Sequence, residues 1–250
     1  MRKNYFVFAA VIIISLFLGS FISANEIKVV TETWEPYNFE KNGKVTGIST
    51  EIVEYSLKKA GISISGNKIN IYPWVRAYKM AMEDENILIY TILRTQEREN
   101  LFKWVGPLIP SEKFYFYKNK SRTDISVSSL DEAKKYQIGV LRGSVHEDFL
   151  LRNGFSTTLI QTVADQELNL KKLLAGRIDF IIDTDSSLEI RTKQMNLPLS
   201  EFEKTLFLFE NGYYMAFSKK TSDEIVEKVR NAFSELEKEG EVDKIIEKYK

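Results

Sequence analysis

Two arginines, Arg94 and Arg98, follow directly on the apolar run Ile87 to Leu93, within the stretch Ile87 to Pro107. A short apolar run that breaks abruptly into Arg94, Thr95 and Arg98 is the pattern of a buried strand delivering polar groups to a cleft. A guanidinium offers a planar fork of donors matched to the two oxygens of a carboxylate, and Thr91 or Thr95 can add a hydroxyl beside it. Phosphate fits the same donors. Pairing with Glu97 or Glu99 on the surface is the commoner fate of such arginines and contributes little energy, so the elements around the two residues decide between these readings.

Those elements alternate. Glu26 to Thr31 reads as a strand ending in Glu32, Thr33, Trp34, Glu35, Pro36 and Tyr37, which places aromatic rings where a sheet meets solvent; for Tyr37 a core plug is an equal alternative. Ile48, Ile52, Tyr55 and Lys59 keep helical spacing up to Gly61. A strand near Ile69 to Tyr72 leads to a helix opening at Pro73 and Trp74, where proline suits the first turn. The Ile87 to Leu93 strand comes next. Alternation of this kind predicts parallel pairing, with ligands bound beyond the carboxyl ends of the strands.

After the Phe- and Tyr-rich strand Lys113 to Lys118, a polar stretch from Asn119 to Ser129 and a short helix from Leu130 to Lys135, the alternation starts again, which is how a lobe boundary reads. The strand Gln137 to Leu141 runs into Arg142, Gly143 and Ser144, and Ser144 with Glu147 forms a capping box that opens a helix. The free N–H groups of such a start can hold a second anion, although most helix starts hold only water. His146, the one histidine, reads as a solvated first-turn residue. A helix from Asp165 to Gly176 precedes the strand Asp179 to Ile182, which ends in Asp183, Thr184, Asp185 and Ser186. Asp183 is the better carboxylate for a ligand ammonium, and Asp185 reads as the N-cap of the next helix. Gly212 to Ser218 is expected as a returning strand, with Thr221 and Glu224 as another capping box.

The first 24 residues are expected to be a cleaved signal peptide, with Arg2 and Lys3 at its start and an apolar core from Phe6 to Leu18. A retained anchor is the lesser alternative, because Ile22 is an awkward residue near a cut after Ala24. The chain has 35 basic and 35 acidic residues and no cysteine. Disulfides, thiol chemistry and a lipidated cysteine are therefore excluded. Losing Arg2 and Lys3 leaves two more acids than bases, which is no nucleic-acid footprint. No second long apolar run follows, so a soluble exported domain is expected.

An ordered set of segments resembles solute-binding protein family 3, the periplasmic receptors for polar amino acids that serve ABC importers. The set comprises Trp34-Glu35-Pro36-Tyr37, Gly47-Ile48, Thr95-Gln96-Glu97-Arg98, Gly139 to Ser144, Gly176-Arg177-Ile178-Asp179 and Glu239 to Ile245, and it spans Ile27 to Lys250. The resemblance implies an α/β fold of the periplasmic-binding-protein-like type II: two α/β lobes joined by two hinge segments, near Leu108 to Glu112 and Phe209 to Tyr213. Residues 25–110 and 212–250 would form one lobe and residues 111–211 the other.

By the same resemblance, Arg98 would take a ligand α-carboxylate, assisted by Thr91 and backbone groups near Leu93. Gly143, Ser144 and Val145 would meet that carboxylate from the second lobe. Trp34 would cover the ligand with Trp74 beside it. The family aspartate that receives the amino group falls on Thr184, a departure that Asp183 or Asp185 would have to repair. The Arg94 and Arg98 pair itself suggests a second cleft arginine, which would suit a dicarboxylate or another more anionic solute. The expected function is a monomeric periplasmic binding protein for a small polar carboxylate-bearing solute, without metal or cofactor and not an enzyme, delivering to an ABC importer permease. The alternatives are a sensing subunit for a receptor kinase and a cyclohexadienyl dehydratase-like enzyme that would use Asp183 or Glu32.

Overall fold

The computed structural model describes residues 26–249; the expected signal segment, residues 1–24, lies outside them. β1 (Glu26–Thr31) leads through a hairpin, β2 (Phe39–Lys41) and β3 (Lys44–Thr46), into α1 (Ile48–Lys59). Two very short strands, β4 (Ser63–Ile64) and β5 (Asn70–Ile71), precede α2 (Trp74–Glu83), β6 (Ile87–Leu93) and β7 (Phe102–Val105). The chain then crosses to β8 (Glu112–Asn119), α3 (Leu130–Ala133), β9 (Ile138–Leu141), α4 (Val145–Arg152) and β10 (Ile160–Val163). α5 (Gln166–Leu174), β11 (Phe180–Asp183), α6 (Asp185–Gln194) and β12 (Phe202–Asn211) complete that half, and β13 (Tyr213–Ser218), α7 (Asp223–Lys238) and α8 (Glu241–Lys248) return to the first.

Beside the β2–β3 hairpin, two larger sheets result, one in each α/β lobe. The first has the order β4-β1-β6-β13-β7, with β5 also on β1, and the second β10-β9-β11-β8-β12. Pairing is parallel where the β–α alternation holds, as between β1 and β6 or β9 and β10. It is antiparallel where the chain changes lobe, since β13 runs against β6 and β7, and β8 against β11 and β12. The two crossings between lobes are tied together by Leu108 N donating to Tyr213 O at 2.7 Å.

Every residue of β6 is buried, which is why it reads as an unbroken apolar run. α1 buries Ile52, Val53 and Leu57 against the first sheet, and α7 adds Ile225, Val229 and Phe233 to the same core. Each such side chain contributes about 1.5–3 kcal/mol relative to exposure. Gly47, at φ 120°, opens α1 where a Cβ would lie 2.4 Å from the Tyr37 carbonyl oxygen, so no other residue fits. The α7 cap falls one residue later than the sequence suggested: Ser222 Oγ, not Thr221, accepts from Ile225 N at 3.3 Å.

One strand departs from regularity at a point that bears on the cleft. Thr91 in β6 has φ 59°, and the register against β13 slips there, Tyr90 facing Met215 and Ile92 facing Tyr214. A β-branched residue in the left-handed region marks a bulge that the surrounding sheet imposes.

Candidate functional site

The carboxyl ends of the parallel strands point at one another across the gap between the sheets. Glu32 to Glu35 follow β1, Tyr72 and Pro73 follow β5, and in the other lobe Ala164 and Asp165 follow β10. These residues, with Trp74, His146 and Arg191, line a cavity of about 630 Å³ between the lobes. A small-molecule site is expected at this place in an α/β fold.

Arg98 sits behind its wall. The residue is only 4% exposed, and its guanidinium carbon lies 5.3 and 5.0 Å from the ring centres of Trp74 and Tyr78. Nη1 donates to the Leu93 carbonyl at 3.4 Å, and Nη2 stands 3.7 Å from Asp148 of the second lobe. Burial lowers its pKa, partly offset by Tyr78 and Asp148. A buried cation whose five donors are only partly used is a site for an anion. Glu32 and His146, both on the cavity wall, feel its charge.

The second lobe meets Arg98 with the start of α4. Ser144 is the N-cap, its Oγ accepting from Glu147 N at 3.4 Å, while Glu147 accepts from Gly143 N at 2.6 Å. The first-turn N–H groups that follow, from Val145 on, are of the kind left without an intrahelical partner. Trp74 Nε1 donates to Gly143 O at 2.7 Å, so the two lobes touch directly at this point. Arg152 and Glu97 form an ion pair beside it.

Arg94 is not part of this arrangement. Its Nε and Nη2 grip Glu99 at 2.7 and 2.5 Å, and its guanidinium carbon lies 5.7 and 5.6 Å from the ring centres of Trp104 and Tyr214. The bidentate surface pair, which the sequence offers as the alternative, takes the residue away from the cavity. The second guanidinium of the cleft is Arg191, eight positions beyond Asp183 and on α6, where the sequence shows no sign of it. Arg191 Nη1 lies 3.5 Å from Asp183 Oδ2, Nη2 donates to Ser187 Oγ at 2.5 Å, and the guanidinium carbon is 5.5 Å from the Trp34 ring centre.

Asp183 is the last residue of β11 and 1% exposed. Burial raises its pKa, while Arg191 and the Thr184 N–H pull it back. Its charge is thus engaged by the protein's own arginine. Asp185 points elsewhere, to Tyr117 at 2.6 Å and Lys204 at 2.8 Å, and the N-cap of α6 is Thr184, whose hydroxyl accepts from Ser187 N at 3.2 Å. The expectation of Asp185 as N-cap is therefore corrected by one residue.

Tyr37 belongs to the core. It is 2% exposed, packs at 4.9 Å on Tyr213, and touches the other lobe only through its hydroxyl, 3.4 Å from Ser186. Thr91 is 7% exposed with an unpartnered hydroxyl, and Leu93 is engaged through its carbonyl by Arg98. His146 is not solvated. It is 2% exposed, with its ring 6.2 Å from Trp34 and 5.3 Å from Phe114, and burial drives its pKa down to about 3, so the imidazole is neutral. Glu32, half-buried beside it, is pushed up to about 8 by burial against the pull of Arg191 and Arg98.

Three comparisons bear on this geometry. Residues 27–250 match the bacterial extracellular solute-binding proteins, family 3. A probable histidine-binding protein of Campylobacter jejuni is 24% identical over 217 residues, covering 86% of this chain and 81% of that one. The probable amino-acid-binding protein YxeM of Bacillus subtilis is 25% identical over 215 residues, covering 86% and 79%. A crystal structure of a histidine kinase sensor domain with similarity to periplasmic binding proteins superposes with a TM-score of 0.79 at 14% identity, covering 90% of this chain and 95% of that one.

Proposed function

Because the chain belongs to the bacterial extracellular solute-binding proteins, family 3, we propose that it captures an amino acid or closely related carboxylate between its two lobes, outside the cytoplasm, and hands it to the permease of an ABC importer. The observation that carries this reading is Arg98, a buried guanidinium with donors to spare where both lobes meet. A carboxylate held there would be approached by Arg98 from the first lobe and by the α4 start, Gly143 to Val145, from the second. Contacts to both lobes are made only when the lobes are together, so the ligand stabilises the closed arrangement by its differential affinity. A permease that recognises the closed surface then distinguishes loaded from empty protein.

Lobe limits near residues 110 and 211, with the connections at Leu108 to Glu112 and Phe209 to Tyr213 as hinges, belong to the same proposal. So do export through the segment 1–24 and a monomeric state. Among the described residues no helix is long and apolar enough to cross a membrane. No bond need be made or broken in this scheme, and turnover of prephenate or arogenate by the purified protein would contradict it.

The test is a thermal-shift screen against amino acids, dicarboxylates, polyamines and small peptides. A ligand that binds only the native state raises stability by RT ln(1 + [L]/Kd), about 2.7 kcal/mol at a hundredfold excess over Kd. At least one amino acid or related carboxylate is expected to raise the melting temperature. A screen in which only solutes without a carboxylate do so would contradict the assignment.

A further inference from the structure

The cavity carries more negative charge than a carboxylate-binding site requires. Four of its lining side chains carry carboxyl groups; burial holds Glu32 protonated up to about pH 8, which leaves the charged carboxylates Glu35, Asp165 and Glu167 against the base Arg191. Arg191 Nη1 stands 3.5 Å from Asp183 Oδ2 without a hydrogen bond between them. None of the four cavity carboxyl groups forms an ion pair among the described residues, and Asp165 accepts only the Glu167 N–H, at 2.9 Å.

Glu35 leaves the first lobe beyond β1, and Asp165 and Glu167 stand at the head of α5 in the second. The two sides feel each other. Burial raises the Glu35 carboxyl, Lys41 pulls it back, and the Glu167 charge raises it again. Closing the lobes therefore brings like charges together, an arrangement that costs free energy unless a cation lies between them. The neighbouring walls are the rings of Trp34, Tyr72 and Trp74, each with one of the protein's own guanidiniums over it, Arg191, Arg76 and Arg98 at 5.5, 4.2 and 5.3 Å from the ring centres. His146, 2% exposed on the same wall, has an unpartnered Nε2, and Trp34 has an unpartnered Nε1. Buried polar atoms left in this state mark a place that a ligand completes.

We propose that the part of the cavity between Glu35 of one lobe and Asp165 and Glu167 of the other is a subsite for a positively charged group, and that the solute is a cationic amino acid. Its carboxylate turns toward Arg98 and its side-chain ammonium or guanidinium lies between the two glutamates. The inference rests on the solute-binding reading above and narrows it. A dicarboxylate, suggested by the Arg94 and Arg98 spacing, would add negative charge to a wall that already carries the carboxylates of Glu35, Asp165 and Glu167. A cation is instead the group that makes the approach of Glu35 and Glu167 favourable, so selectivity and closure are coupled.

Calorimetric titration of the purified protein with L-arginine, L-lysine, L-citrulline, L-glutamine and L-glutamate tests this. Citrulline has arginine's length without its charge. Arginine or lysine is expected to bind roughly ten-fold or more tightly than citrulline. In the Glu35→Gln/Glu167→Gln double variant that ratio is expected to fall to about two-fold, chiefly through weaker binding of the cation, with the ligand-free melting temperature no lower than wild type. Citrulline, glutamine or glutamate binding as tightly as the best cation, or a ratio unmoved in the double variant, overturns the subsite and leaves the solute-binding reading intact. Silence from all five also overturns it, and the broader screen then decides the fate of the parent reading.

Discussion

Arg98 and Arg94 are close in sequence and have opposite surroundings. Arg98 is buried against Trp74 and Tyr78 with Asp148 reaching over from the other lobe, whereas the Arg94 side chain is about two-fifths exposed and held by Glu99. Exposed pairs are worth roughly 0–1 kcal/mol, so Arg94→Ala is expected to leave solute affinity nearly unchanged. Removing the partner of a desolvated carboxylate costs about 2–5 kcal/mol, and Arg98→Ala is expected to lose that much binding by calorimetry; equal losses in both variants would refute the distinction. His146 and Glu32 set opposite pH limits. Between about 6.5 and about 3 the unfolded chain holds the His146 proton that the native one excludes, so stability falls as pH drops through that window. Between about 4.5 and about 8 the native protein holds the Glu32 proton that the unfolded one releases, so stability falls as pH rises through it. Melting curves against pH are expected to lose the acid limb in His146→Phe and to flatten on the upper limb in Glu32→Gln; unchanged profiles would contradict these assignments. The break of an apolar strand into polar residues marks Arg94 and Arg98 alike, and only the family resemblance separates Arg98 from its neighbour. The burial of His146 is not legible in the sequence, since it is made by Trp34 and Phe114, distant in the chain. Arg191 gave no signal because α6 lacks a clear apolar stripe to orient its faces.

Among the elements, those carrying their own local punctuation were readable. β6 matches the apolar run residue for residue, and α1 follows its 3.6 spacing to the glycine at position 61, which has φ 68°. β12 was missed because it is an edge strand on β8, mostly half-buried or exposed, without a clean alternation of buried and exposed residues. The bulge at Thr91 is likewise invisible locally, because the register with β13, more than a hundred residues later, sets it. A β-branched residue held at φ 59° stores roughly 1–3 kcal/mol of strain. Thr91→Gly is therefore expected to hold or raise the melting temperature, despite losing a buried side chain, whereas Thr91→Val, which keeps the branch, is expected to bring no gain. A Thr91→Gly protein destabilised by more than ~2 kcal/mol would show that packing at this position outweighs the backbone term.

At the scale of the molecule, the two lobes meet through polar contacts, Trp74 on the Gly143 carbonyl, Arg98 near Asp148 and Glu97 with Arg152, and through rings, Trp34 beside His146 and Arg191 over Trp34. The proposed ligand would add contacts to both sides at once. The measurement that tests this most directly is small-angle X-ray scattering of the purified protein, alone and saturated with the amino acid that raises its melting temperature most. A smaller radius of gyration is expected with ligand, and no change in Arg98→Ala at the same concentration. Binding seen by calorimetry with an unchanged radius of gyration, and with Arg98→Ala binding as well as wild type, would place the solute outside the gap between the lobes and contradict it.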